Sequence, residues 1–199
     1  VTSTFELWKK WREDGLTSRV DARAFLKARL FDLVVGNWDR HQAQWRWARF
    51  GCERAWVPQP EDADQAFTRY EGKAMGAVRR VVPRFMRYSG EYPKRMEGLT
   101  TNNYDVTRWL LTRLEWPVFE EVARELAAQM TDAVIDEAMH RMPPEWYAVD
   151  GAQMTKELAE AYVTAGNELK ALVIPAGLAF ARSIAKRPDV NLYAPDKRH

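Results

Sequence analysis

The chain has one cysteine, Cys52, in 199 residues. No internal disulfide can form, so the fold rests on its core alone. A lone cysteine says nothing about compartment, and Cys52 reads as a small, half-buried residue. No apolar run approaches the roughly 18 residues of a membrane span. The polar opening Val1-Thr2-Ser3-Thr4 is not a signal peptide. An initiating methionine is also missing, which points to a processed or excised piece. Charge of one sign is scarce, since Lys and Arg exceed Asp and Glu by only two. The whole-chain balance therefore gives no reason to expect nucleic acid or an anionic surface as partner.

What is present is an ordinary globular composition, 46% hydrophobic and 29% charged, at a length suited to one domain or one and a half. Nine tryptophans are spread along the chain. Each buries a large ring and keeps one donor, so most should line the core or a groove.

Periodicity is mainly helical. Phe5, Trp8 and Trp11 predict a first helix, capped by Ser3 or Thr4 and closed by Gly15. Lys9 and Lys10 on it read as solvated charges. From Val20 to Val35 the apolar positions Phe25, Leu26, Leu30, Phe31, Leu33 and Val34 are too many for a narrow stripe, which predicts a largely buried helix ending at Gly36. Trp45, Trp47 and Phe50, alternating with Arg46 and Arg49, predict a strand over Gln44 to Phe50, paired with Ala55 to Val57 in a hairpin. Past Phe67 the pattern is helical, with loops at Pro83, Ser89-Gly90 and Pro93. Further helices are expected at Asp105 to Leu114 behind Thr101-Asn102-Asn103, at Phe119 to Met130 after Pro117, and at Ala133 to Met142 after Thr131-Asp132. Pro143 and Pro144 end that run. A helix from Ala152 to Leu169, an apolar stretch Ala171 to Ile174, and a helix from Gly177 to Ala185 complete the pattern. The expected fold is mainly α with a small β-hairpin.

The chemistry concentrates in Gly36-Asn37-Trp38-Asp39-Arg40-His41 and, downstream, Asp62-Ala63-Asp64-Gln65-Ala66-Phe67. Gly36 and Asn37 favour turns, and Asn, Asp and His bond their own backbone, so the first run is a loop at the end of a buried helix. Phosphoryl transfer needs a carboxylate to orient the acceptor hydroxyl and oxygen ligands to hold Mg²⁺ against the phosphates. Asp39, Gln44, Asp62 and Asp64 occur in that order. Acidic loops also cap helices and brace neighbours, and Asp32 reads as such a brace.

The strings D-L-V-V-G-N-W-D-R-H-Q-A-Q and P-E-D-A-D-Q-A-F-T-R-Y-E-G resemble the catalytic and metal-binding segments of atypical kinases of the spore-coat protein H (CotH) class and its secretory-pathway Fam20 relatives. The resemblance covers about residues 20 to 155 and implies the C-terminal lobe of a protein-kinase-like fold, assigned to 1–155, with 156–199 a helical tail. It implies that Asp39 orients the acceptor, with Arg40 and His41 bracing the loop, and that Asp62 or Asp64, with Asp64 preferred, binds Mg²⁺ or Mn²⁺. Asn37 and Gln44 are the implied cofactor contacts. Gln44 stands where many kinases place a metal-binding Asn, so either its longer side chain reaches the second metal or that site is weakened. The implied cofactors are ATP and the metal, and the implied location is the cell envelope or outside the cell. Residues 1–19 carry no glycine-rich phosphate loop, so a nucleotide-gripping N-lobe or partner domain is expected elsewhere.

The tail segment L-V-I-P-A-G-L-A-F-A-R-S with R-P-D-V-N-L-Y-A-P-D-K-R-H is similar to the last block of SGNH (GDSL-like) hydrolases, which would make Asp196 and His199 an acid–imidazole pair. No G-D-S nucleophile segment precedes it. Three function classes follow: an ATP- and Mg²⁺-dependent phosphotransferase lobe acting on a protein or small-molecule acceptor, a metal-dependent phosphohydrolase using Asp39, His41, Asp62 and Asp64, and a non-catalytic helical interaction module.

Overall fold

A computed structural model of the chain describes residues 1–14, 19–51, 54–82, 85, 88, 97–156 and 158. Gly15, Cys52, Pro83, Ser89, Gly90, Pro93, the helices expected beyond residue 158, Asp196 and His199 lie outside the described residues. The described part is mainly helical around one small antiparallel sheet.

Strand β1 (Thr2–Ser3) leads directly into helix α1 (Thr4–Glu13), whose N-cap is Ser3, its hydroxyl accepting from the Glu6 N–H. Lys9 and Lys10 are solvated on it, as expected. Helix α2 (Ala22–Val34) is shorter at its start than the apolar pattern suggests. Asp21 caps it by accepting from the Ala24 N–H, and Val20 instead forms a bridge with Trp56. It is largely buried, as its many apolar positions require, although Phe31 is exposed.

The hairpin is present with a shifted second arm. Strand β2 (Trp45–Ala48) pairs with β3 (Val57–Pro60) from Ala48↔Val57 to Trp45↔Pro60. Pro58 and Pro60 lack the N–H that a central strand must donate, and β3 accordingly lies at the edge. The other edge is β1, a pairing too short to be read from sequence. It is fixed by buried Thr4, whose hydroxyl donates to the Gln42 carbonyl at 2.8 Å and accepts from the Trp47 indole at 3.1 Å.

The remaining α-helices among the described residues are α3 (Lys73–Val81), α4 (Glu97–Thr100), α5 (Tyr104–Leu111), α6 (Trp116–Gln129), α7 (Asp132–Met139) and the single turn α8 (Pro144–Trp146). Pro117 sits in the first turn of α6, and Thr131 caps α7 by accepting from the Val134 N–H, both as the sequence indicates. Helix α7 ends at Met139 with His140 as its C-cap, short of the expected Met142, and Pro143 and Pro144 instead open a new helical segment, which runs through a wide turn at Tyr147–Gly151 into 152–156. Its start precedes the expected Ala152 because proline is well accommodated in a first helical turn.

The main core gathers Leu7 from α1, Phe25, Leu26, Leu30 and Leu33 from α2, Trp45 and Trp47 from β2, and Val106, Leu111, Phe119 and Val122 from α5 and α6. Trp38, Trp45, Trp47 and Trp56 are buried, whereas Trp146 is exposed. A second small core joins Tyr88, Ile135, Met139 and Leu158.

Candidate active site

The loop after α2 is built around one buried carboxylate. Val35 caps the helix, Gly36 takes φ +68°, and the Asn37 N–H turns back to the Asp32 carbonyl at 2.8 Å. A Cβ at Gly36 would meet Tyr88 Cδ2 at 2.9 Å, so conformation and space both require glycine. The Asp32 side chain accepts from Arg29 Nη1 at 2.7 Å, Asn37 Nδ2 at 3.2 Å, and Arg40 Nε and Nη2, each at 3.0 Å. All four residues are buried. Asp32 is thus the brace its position in the sequence suggests.

Arg40 extends that brace outward. Its Nη1 donates to the Gln44 carbonyl at 3.4 Å and to the Glu61 carbonyl, and its guanidinium lies 5.2 Å over the Trp45 ring. Arg29 reaches the other way, donating Nη2 to the Leu99 carbonyl at 3.2 Å. Two guanidiniums share one carboxylate, and burial lowers the Arg29 pKa from its ordinary value while Asp32 opposes the change.

Asp39 projects from this frame, half-buried. Its Oδ1 accepts from Asn102 Nδ2 at 3.0 Å, and among the described residues its other oxygen takes no hydrogen bond. His41 caps a short 3₁₀ turn (Gln42–Gln44): its Nδ1 accepts from the Ala43 N–H at 3.2 Å, while its own N–H donates to Gln44 Oε1 at 3.2 Å. His41 is therefore a loop organiser in this geometry. With Asn102, Asp105 and Val106 it also lines a cavity of about 280 Å³.

The acidic loop follows β3. Asp62 has φ +57°, and its Oδ1 accepts from the Asp64 N–H at 3.2 Å, a local turn open to aspartate. Its Oδ2 accepts from Gln44 Nε2 at 3.0 Å. These bonds stabilise the charged form and hold the Asp62 carboxyl below its ordinary pKa, the Asp64 backbone contributing most and Gln44 next. Asp62 and Asp64 are both exposed. Asn37 by contrast is buried against Asp32.

Gln44 thus joins the two motifs, His41 on its oxygen and Asp62 on its nitrogen. A second link comes from Tyr70, which packs edge-on against Trp38 at 6.1 Å and donates its hydroxyl to Gln65 Oε1. Gln65 in turn donates to Asp64 Oδ2 at 3.0 Å. Burial raises the Tyr70 pKa, and the charges of Asp39 and Asp64 add to that effect while Trp38 opposes it. Asn102 reads in the sequence as part of a helix cap, and Gln65 and Tyr70 lie inside the downstream string without a role assigned to them there; residues 68–71, expected to be helical, form an irregular loop.

Among the described residues no three His, Cys, Asp or Glu side chains gather closely enough to hold a metal ion. The exposed pair Asp62 and Asp64 still suits Mg²⁺, which takes one or two carboxylates together with water and phosphate oxygens. Gln44 Oε1 accepts the His41 N–H, which occupies one of its two lone pairs. No family model, curated protein or solved structure matches the chain.

Proposed function

We propose that this chain is the base- and metal-bearing lobe of an ATP- and Mg²⁺- or Mn²⁺-dependent phosphotransferase of the kinase-like type. The observation that carries the reading is the double link between the Asp39 loop and the Asp62–Asp64 loop, through Gln44 and through Trp38–Tyr70–Gln65. It connects the loop that carries Asp39, ahead of β2, with the loop that carries the exposed Asp62 and Asp64, after β3, at the same end of the antiparallel hairpin.

In this reading the acceptor hydroxyl donates to the second oxygen of Asp39, which aims the nucleophile and takes its proton as the new P–O bond forms and the γ-phosphorus bond to the bridging oxygen breaks, ADP leaving with that electron pair. Asn102 keeps the carboxylate turned to that task by occupying Oδ1. Asp62 and Asp64 would hold the metal, with Tyr70 through Gln65 orienting the Asp64 carboxylate. The metal, when bound, neutralises charge on the phosphates. Arg40 and Asp32 keep the loop rigid. A nucleotide-covering lobe bearing a phosphate-pairing lysine belongs to another segment or partner, and the acceptor is a hydroxyl of a protein or small molecule.

One observation favours a second reading, a non-catalytic helical module that keeps the loop for folding: both ends of the Gln44 amide are committed within the protein. The two are separated by the binding of Mg·ATP to the wild-type chain and to Asp62→Ala combined with Asp64→Ala. The phosphotransferase reading expects metal-dependent binding that the double variant weakens at least tenfold. Equal binding, or none by wild type, would leave the module reading.

A further inference from the structure

The near-neutral charge of the whole chain conceals a local excess. Residues 73–95 contain seven Lys or Arg and one Glu, a net +6, whereas the full chain sums to +2, so the remainder is net −4. No Asp or Glu occurs between residues 72 and 90. Helix α3 opens this stretch.

At 100° per residue, Ala77, Val81, Ala74, Val78 and Met75 fall on one continuous face of α3 about 160° wide. Lys73, Arg80, Gly76 and Arg79 occupy the rest. An amphipathic surface helix ordinarily turns its apolar face to the core. Here the orientation is reversed: Ala74, Ala77, Val78 and Val81 are exposed, Val81 at 81%, while Met75, Gly76 and Arg79 are half-buried. No residue of α3 is buried.

We infer that α3 is a peripheral docking helix for an anionic phospholipid surface, lying in the plane of the headgroups with Ala74, Val78 and Val81 directed into the acyl boundary. The cations are placed for it: Lys73 and Arg80 flank the apolar face on one side and Arg79 on the other, where long basic side chains reach up to phosphates while their stems lie along apolar surface. Nucleic acid would need the cations at the centre of the outward face, and that centre is valine and alanine. The attachment is peripheral, for among the described residues no helix is long and apolar enough to cross a membrane. It is independent of the phosphotransferase reading.

The test is co-sedimentation of the full chain with vesicles of phosphatidylcholine alone and of phosphatidylcholine mixed with phosphatidylglycerol, at low and high salt. All variants lie on the exposed helix, and circular dichroism confirms that they fold. Binding is expected only to the mixed vesicles, weakened by salt. Arg79→Ser with Arg80→Ser should reduce it by roughly 30-fold, and Val78→Asp with Val81→Asp should abolish it. Failure to bind the mixed vesicles, equal binding to neutral ones, undiminished binding by the aspartate pair, or preferential capture on duplex DNA would each overturn the inference.

Discussion

At the scale of single residues, the site is ordered by side-chain amides. Gln44, Asn102 and Gln65 each present a donor to one of the three acids Asp62, Asp39 and Asp64. The acids themselves were legible, because Asp and His after a turn-forming Gly-Asn stand out in the sequence. Gln44 stood out with them, but its bond to Asp62 did not, and neither did the parts played by Asn102 and Gln65. Gln44 meets Asp62 only because the β2–β3 register brings residues 18 apart to 3.0 Å. Asn102 reaches Asp39 across a separation of 63 residues, which no local pattern encodes. A titration follows from the Asp62 bonds. Its folded pKa is depressed, so the stabilisation is present above the ordinary value of 3.8 and is lost as pH falls below that value through the lowered one. Carboxyl carbon shifts should show an Asp62 midpoint below the ordinary aspartate range. Gln44→Ala should move it part of the way back, the Asp64 N–H still being in place. An unmoved midpoint would mean that Gln44 does not hold the carboxylate.

At the scale of elements, helix limits set by caps and prolines were legible at Ser3, Pro117 and Thr131, because each acts on backbone donors within one turn of itself. Elements that depend on distant partners were not: the two-residue β1 exists through Thr4, Gln42 and Trp47, and the edge position of β3 is what admits its prolines. The Asp32 cluster joins these elements, linking α2 to α4 through Arg29 and Leu99, and to the acidic loop through Arg40 and Glu61. Asp32→Ala strands two buried guanidiniums, and removing one partner of a buried pair costs about 3–5 kcal/mol. Denaturant unfolding should register a loss of that size. Asp39→Ala, which strands no buried charge, should cost under about 1 kcal/mol by the same measurement. Equal losses would show that the cluster does not hold the loop.

For the whole molecule, the mainly helical fold with a small sheet follows from the 3.6-residue periodicity and one alternating aromatic stretch. The resemblance to a kinase-like lobe remains a proposal that rests on the two loop motifs and the links between them. The division of labour it entails is specific: Asp62 and Asp64 bind the metal–nucleotide, and Asp39 serves the acceptor. Calorimetry of the full chain with Mg·ATP addresses that division directly, using wild type, Asp39→Ala, and Asp62→Ala combined with Asp64→Ala. The expected result is metal-dependent binding of equal strength in wild type and Asp39→Ala, with at least a tenfold loss in the double variant, on the order of 1.4 kcal/mol. Undiminished binding by the double variant, or no metal-dependent binding by wild type, would contradict it.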